Sequence, residues 1–368
     1  MKNLFISTLL LSSVFCLSQS YESEMSAADN FIKNKDYCSA VKVFEKNLKQ
    51  DKSSNFEYYY ASVSAINCNN DKLALTWLEE AVNKGLGMKE GEVDYLEKDP
   101  NFEKVHDTEA WKQIISSIKA NLAKKKDDWI KLISQNALPA NKTSKHFQKA
   151  NAGYALYLSK AGTENVPYLV FVPKTYDEKK ASRAVVFLHG GVVSISDYYY
   201  DKPDVVTEPI FKFGEDENTI IIYPFAKKDF GWVNQIEAFK NVVAITKEVE
   251  KKYNIDKNKI VLGGMSNGGT ATFWFATQPN MPYSGYFAVS ATPKLKVENV
   301  DFKKISKSFY SINAKDDDIF KYDEVHQIYE QNKNKNWHFE TQETGGHGLI
   351  YNENGGEILT DIIRKTMK

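Results

Sequence analysis

A chain of 368 residues has room for two or three domains at about 150 residues each. Its 42% hydrophobic and 26% charged residues supply a core and speak against disorder over most of the length. The 48 basic residues balance the 48 acidic ones, and only Arg183 and Arg364 are arginines, so no nucleic-acid partner is expected.

Residues 1–20 read MKNLFISTLLLSSVFCLSQS. Lys2 precedes an apolar run from Leu4 to Leu17, and Ser18-Gln19-Ser20 offers a small-x-small cleavage site. This is the pattern of a secretory signal peptide and predicts a secreted or periplasmic mature chain. The alternatives are a short anchor, for which the run is brief, and a lipid at Cys16, which Phe15 disfavours. No later run approaches a membrane span, so no transmembrane segment is expected in the mature chain. Cleavage leaves Cys38 and Cys68. They could form one disulfide in an oxidising compartment or remain two small, half-buried thiols.

From 21 to 136 the apolar residues recur at threes and fours, which predicts helices at 24–34, 37–50, 56–67, 71–84, 108–121 and 124–136. Ala40, Val43, Phe44 and Glu45 return as Ala74, Trp77, Leu78 and Glu79 after 34 residues. That period, with a small residue followed four later by a large one, resembles the tetratricopeptide repeat. Only two degenerate units are visible. The resemblance implies either a groove for a protein or peptide partner or a plain helical appendage.

A polar linker is expected at 137–152, around Pro139. Beyond it, short β-branched and aromatic runs mark strands at 167–172, 184–188, 219–223, 259–262, 284–289, 308–313 and 337–342. Helical patterns at 236–253, 267–278, 321–333 and 355–366 lie between several of them. This alternation predicts an α/β domain over 153–368, with a mainly parallel sheet buried between helices.

The sharpest motif is Gly264-Met265-Ser266-Asn267-Gly268-Gly269, placed between a strand and a helix. A nucleophilic serine on such a turn must stand clear of the sheet. Gly264 and Gly268 remove side chains where strand and helix would collide. Leu188-His189-Gly190-Gly191 ends an earlier strand and resembles the oxyanion loop of esterases, with Gly191 and Asn267 N–H as donors. Six histidines are candidates for the base. His106 and His146 precede the α/β region, and His189 belongs to the oxyanion loop. His326 and His338 fall on a helix and a strand. His347, in Thr344-Gly345-Gly346-His347-Gly348 after the last strand, is the expected general base.

Together, PYLVFVPKTYDEKKASRAVVFLHGG (167–191) and YNIDKNKIVLGGMSNGG (253–269) resemble the α/β-hydrolase superfamily. Within it they are similar to the carboxylesterase, feruloyl esterase and polyhydroxybutyrate-depolymerase branch. The resemblance implies an acid after the penultimate strand. Its register on INAKDDDI selects Asp317, although Ala314 stands where glycine is usual and Asp316 and Asp318 remain open. The three carboxylates lack EF-hand spacing for calcium. The order Ser266, Asp317, His347 is the α/β-hydrolase order. It implies ester hydrolysis through an acyl-enzyme, with no metal or cofactor, on a small ester or acylated polysaccharide. A serine peptidase and a repeat-based binding protein with an inert hydrolase domain are the competing readings. Tyr198–Tyr200, on the segment after the oxyanion loop, and Trp232, on the segment after the next strand, are candidates to line a substrate pocket.

Overall fold

The computed structural model describes residues 21, 23, 25–48, 52–89, 91–139, 147–297 and 300–368. The proposed leader at 1–20, with Cys16, lies outside the described residues, as does His146. The chain divides into two compact units, 1–126 and 127–368. Among the described residues no helix is long and apolar enough to cross a membrane.

The first unit is helical. It comprises α1 (25–33), α2 (Tyr37–Asn47), α3 (Asn55–Asn67), α4 (Asp71–Asn83), α5 (Glu92–Glu97) and the first part of α6 (Glu109–Gln135). Side chains start the helices. Asp36 and Asn70 cap α2 and α4, and Ser54 with Glu57 forms a capping box on α3. Ala40, Ala61 and Ala74 are fully buried, which lets successive helices approach, and Phe44 meets Trp77 edge-on at 6.4 Å. The small residues of the 34-residue echo are thus buried, and large residues from its two copies, Phe44 and Trp77, meet.

Cys38, in the first turn of α2, is bonded to Cys68, the C-cap of α3, 30 residues on. Replacing both cysteines by serine should cost this unit about 3–4 kcal/mol by returning loop entropy to the unfolded chain. A lowered urea midpoint for its transition in the full chain would register the loss.

The sequence suggests two helices at 108–121 and 124–136, but α6 is one helix of 27 residues. Lys124-Lys125-Lys126-Asp127-Asp128 looks like a break, yet it holds no glycine or proline, and lysine is a good helix former. The unit division falls within α6 because Trp129 and Ile133 pack into the core of the second unit. The linker expected at 137–152 thus falls inside that unit.

The second unit is built on one eight-stranded sheet. Its strands are β1 (Gly153–Ala161), β2 (Glu164–Val172), β3 (Ser182–Leu188), β4 (Thr219–Pro224), β5 (Ile255–Met265), β6 (Gly285–Val289), β7 (Ser308–Ala314) and β8 (Trp337–Gln342). The spatial order is β1-β2-β4-β3-β5-β6-β7-β8. β2 pairs antiparallel with β1 and with β4, and every pairing from β4 to β8 is parallel. All residues of β4 and β6 are buried, as continuous apolar strands covered on both faces should be. One face packs on α8 (Ile236–Lys252) and α9 (Asn267–Thr277), the other on α7 (Pro209–Asp216) and α11 (Gly355–Thr366). α10 (Tyr322–Gln331) connects β7 to β8. The sequence reading did not list β1 or α7.

Candidate active site

The carboxyl ends of β3, β5, β7 and β8 converge where ligands bind in open α/β sheets. Ser266 follows β5 directly and begins α9, with φ +54° and ψ −119°. A side chain tolerates that region only under strain, at a cost of roughly 1–3 kcal/mol. The turn is held by Ser266 N–H donating to Val289 O at 3.0 Å and Thr270 N–H donating to Ser266 O at 2.8 Å. Gly264 and Gly268 make it possible. A Cβ on either would lie 2.2 or 1.9 Å from the Leu188 carbonyl oxygen, the last of β3. The collision they avoid is therefore chiefly with the neighbouring strand.

Ser266 Oγ lies 2.9 Å from His347 Nε2. His347 Nδ1 is 3.0 and 3.1 Å from the two Asp317 carboxylate oxygens. Asp317 is buried, and its Oδ1 also accepts the N–H groups of Ile319 and Phe320, both at 2.9 Å. Phe320 stands edge-on to the imidazole at 5.2 Å. Asp316 points elsewhere. Its two oxygens accept Gly346 N–H at 2.7 Å and Gly345 N–H at 3.2 Å, which holds the carboxyl below its usual range. Asp318 is exposed. Consecutive aspartates thus grip the ring of His347 and the backbone of the loop that carries it. Sequence reasoning missed the second grip, because Asp316 finds its partners 29 and 30 residues away.

Gly191 has φ +71°, and a Cβ on Gly190 would lie 2.9 Å from Ser266 Cβ. The two glycines let the oxyanion loop curl against the serine. Among the described residues neither Gly191 N–H nor Asn267 N–H has an acceptor, and both residues border the same cavity as Ser266.

The model of the prolyl oligopeptidase family matches residues 234–344, from α8 through β8 and including Ser266 and Asp317. The match ends before His347. The second unit has the α/β-hydrolase fold.

Among solved structures, the chain is similar to a thermostable esterase at 18% identity, covering 56% of this chain and 62% of that one, with a TM-score of 0.44. An acylaminoacyl peptidase of Pyrococcus horikoshii gives 17% identity, 61% and 43% coverage and a TM-score of 0.46. Est1E from Butyrivibrio proteoclasticus gives 13%, 58% and 97%, and 0.44. A TPR repeat-containing protein of Methanocaldococcus jannaschii is 39% identical over 64 residues, which is 17% of this chain and 11% of the relative. The chain thus spans less than two thirds of that curated relative and of the esterase.

The α/β-hydrolase unit encloses a cavity of about 790 Å³ over Ser266. Val193, Ile195, Phe225, Val233, Ile319 and Phe320 give it a largely apolar wall. Trp232 borders it but is buried, and its indole N–H donates to His189 O at 3.1 Å. Of the tyrosine run, Tyr199 lines the cavity, Tyr198 OH donates to Glu164 at 3.0 Å, and Tyr200 O accepts from Trp129 at 2.9 Å.

His189 is locked beneath the oxyanion loop. Its Nε2 accepts Ala226 N–H at 3.1 Å, so its proton sits on Nδ1, which donates to Gly190 O at 2.7 Å. Burial pushes its pKa down to about 4 from 6.5. A neutral imidazole required by the fold stabilises it above the unfolded value. That contribution, about 3 kcal/mol, is lost as pH falls from 6.5 through 4. The thermal stability of the wild-type chain should therefore fall more across this window than that of His189→Gln. Equal slopes would place the acid-labile group elsewhere.

Proposed function

We propose that the chain is a serine hydrolase that cleaves carboxylic esters through an acyl-enzyme, with Ser266, His347 and Asp317 as nucleophile, base and acid. The observation that carries this reading is the unbroken path from Ser266 Oγ through His347 to buried Asp317, starting at a strained turn. His347 Nε2 takes the serine proton as Oγ attacks the carbonyl carbon. Asp317 fixes the ring with its proton on Nδ1 and stabilises the imidazolium. The N–H groups of Gly191 and Asn267 receive the oxyanion, each worth about 3 kcal/mol in the transition state. The carbonyl–oxygen bond then breaks, the alkoxide leaves with the proton from His347, and water repeats the sequence to release the acid.

A serine peptidase of the same fold is the second reading, favoured by the prolyl oligopeptidase match over 234–344. Both follow one chemistry and differ in the leaving group. Purified chain assayed on short p-nitrophenyl esters and on peptide p-nitroanilides separates them. Ester turnover with little amide cleavage supports the esterase. Inactivity on both, with no labelling of Ser266 by a fluorophosphonate, rejects both. Export of the mature chain is also proposed, supported by the Cys38–Cys68 disulfide, since such bonds persist in oxidising compartments.

A further inference from the structure

The cavity wall carries a carboxylate that the proposed mechanism does not use. Glu208 is the N-cap residue of α7, and its side chain gives that helix no cap hydrogen bond. Its hydrogen-bonding partner is a phenol. Tyr351 OH donates to Oε2 at 3.0 Å, and Tyr223, at the end of β4, is buried. Both tyrosines line the same cavity as Ser266, and Tyr351 comes four residues after His347. Among the described residues no lysine or arginine pairs with Glu208. Glu164 and Glu217 of this unit do have cations, with Lys227 on Glu164 at 3.3 Å and Arg183 and Arg364 on Glu217 at 3.8 and 2.5 Å, whereas Glu248 is held by the hydroxyls of Ser159 and Tyr168 at 2.7 and 3.1 Å.

A carboxylate drawn out of water without a counter-ion is costly, and burial pushes the Glu208 carboxyl up accordingly. A merely structural role does not explain the charge. Glutamine would accept the same phenol proton at lower cost. What a carboxylate adds is affinity for a cation entering the cavity, and the phenol of Tyr351 orients it there. We propose that Glu208, oriented by Tyr351, is a subsite for a protonated amine of the substrate. This rests on the serine-hydrolase reading and adds a substrate class to it. The apolar wall would pack the chain between amine and scissile carbonyl. The amine could belong to an aminoacyl ester or to a peptide with a free amino terminus.

Two measurements test the subsite, and the first needs no turnover. Calorimetry compares hexylammonium with hexanol on the full chain. We expect the cation to bind about tenfold or more tightly, a preference that falls to near unity in Glu208→Gln. In the wild type the preference should also shrink between 0.05 and 0.5 M salt, which keeps the test open if the variant folds poorly. The second measurement runs a ladder of p-nitrophenyl ω-aminoalkanoates against alkanoates carrying methyl in place of ammonium. At one chain length or more, the kcat/KM ratio should favour the amine about tenfold, and Glu208→Gln should abolish the ratio. A ratio near one at every length, or one unchanged in Glu208→Gln, overturns the proposal. So does equal binding of hexylammonium and hexanol. Failure of every ester and every peptide p-nitroanilide, with no fluorophosphonate labelling of Ser266, alongside a Glu208-dependent ammonium preference rejects the hydrolase reading and keeps the subsite. Peptide p-nitroanilides with free and acetylated amino termini identify the source. Cleavage of the free form alone assigns a peptide, and turnover of aminoacyl esters alone assigns an ester.

Discussion

Ser266→Ala is expected to lower kcat on a p-nitrophenyl ester by about a hundred-thousand- to a million-fold, the scale on which an acyl-transfer site loses its nucleophile. The geometry explains why nothing else takes over. Ser266 Oγ is the hydroxyl within reach of His347 Nε2, at 2.9 Å, and Gly190 keeps the oxyanion loop directly against its Cβ. Thr270 borders the cavity too, but its Oγ1 accepts Thr292 N–H at 3.2 Å. The same residue predicts a stability effect of opposite sign. Its positive φ strains any residue with a Cβ, so alanine keeps the strain and glycine removes it. Ser266→Gly should therefore be inactive yet about 1 kcal/mol more stable than Ser266→Ala, after allowing for the looser unfolded chain. Parallel activity and urea-unfolding measurements on the two variants check both statements. Residual ester turnover close to the wild-type rate in either would remove Ser266 from the reaction.

The parts legible in the sequence are those written in local chemistry. Apolar runs locate the parallel strands because a strand covered on both faces must be apolar throughout, as β4 and β6 are. The turn after β5 is legible because Gly264 and Gly268 can only be glycine against the Leu188 carbonyl. β1 escapes notice for the opposite reason. It is an edge strand with alternating burial, so Ser159 and Lys160 dilute its apolar signal. α7 has only eight residues, too short for a periodic pattern. Trp232 borders the cavity, while its N–H is engaged by a carbonyl 43 residues earlier, which its type does not foretell. Glu208 carries no motif at all, because its partner Tyr351 lies 143 residues away, after β8. Residue type reveals chemistry when the partner is near in sequence, and three-dimensional pairing decides it otherwise.

The paired aspartates put that distinction to an experimental test. Asp317→Asn should reduce kcat by about ten-thousand-fold, since an amide can donate to Nδ1 and stabilise the wrong tautomer of His347. Asp316→Asn leaves the acid in place. Its amide oxygen can accept one of the Gly345 and Gly346 N–H groups, but its NH2 then faces the other. The loop carrying His347 loses one anchor of two, and a loss of about tenfold follows from looser placement of the base. Asp316→Ala, which removes both acceptors, should be worse than Asp316→Asn, while Asp318→Asn, on an exposed side chain, should be close to wild type. Intact proteins bearing each substitution, assayed for kcat across pH, separate acid from anchor. Loss of Asp317 should depress the plateau by the larger factor, whereas loss of the Asp316 anchor should lower it by about tenfold as the ring moves away from Asp317. A ranking with Asp316→Asn below Asp317→Asn would mean that the carboxylate bound to the loop backbone, and not the one 3.0 Å from Nδ1, governs the base.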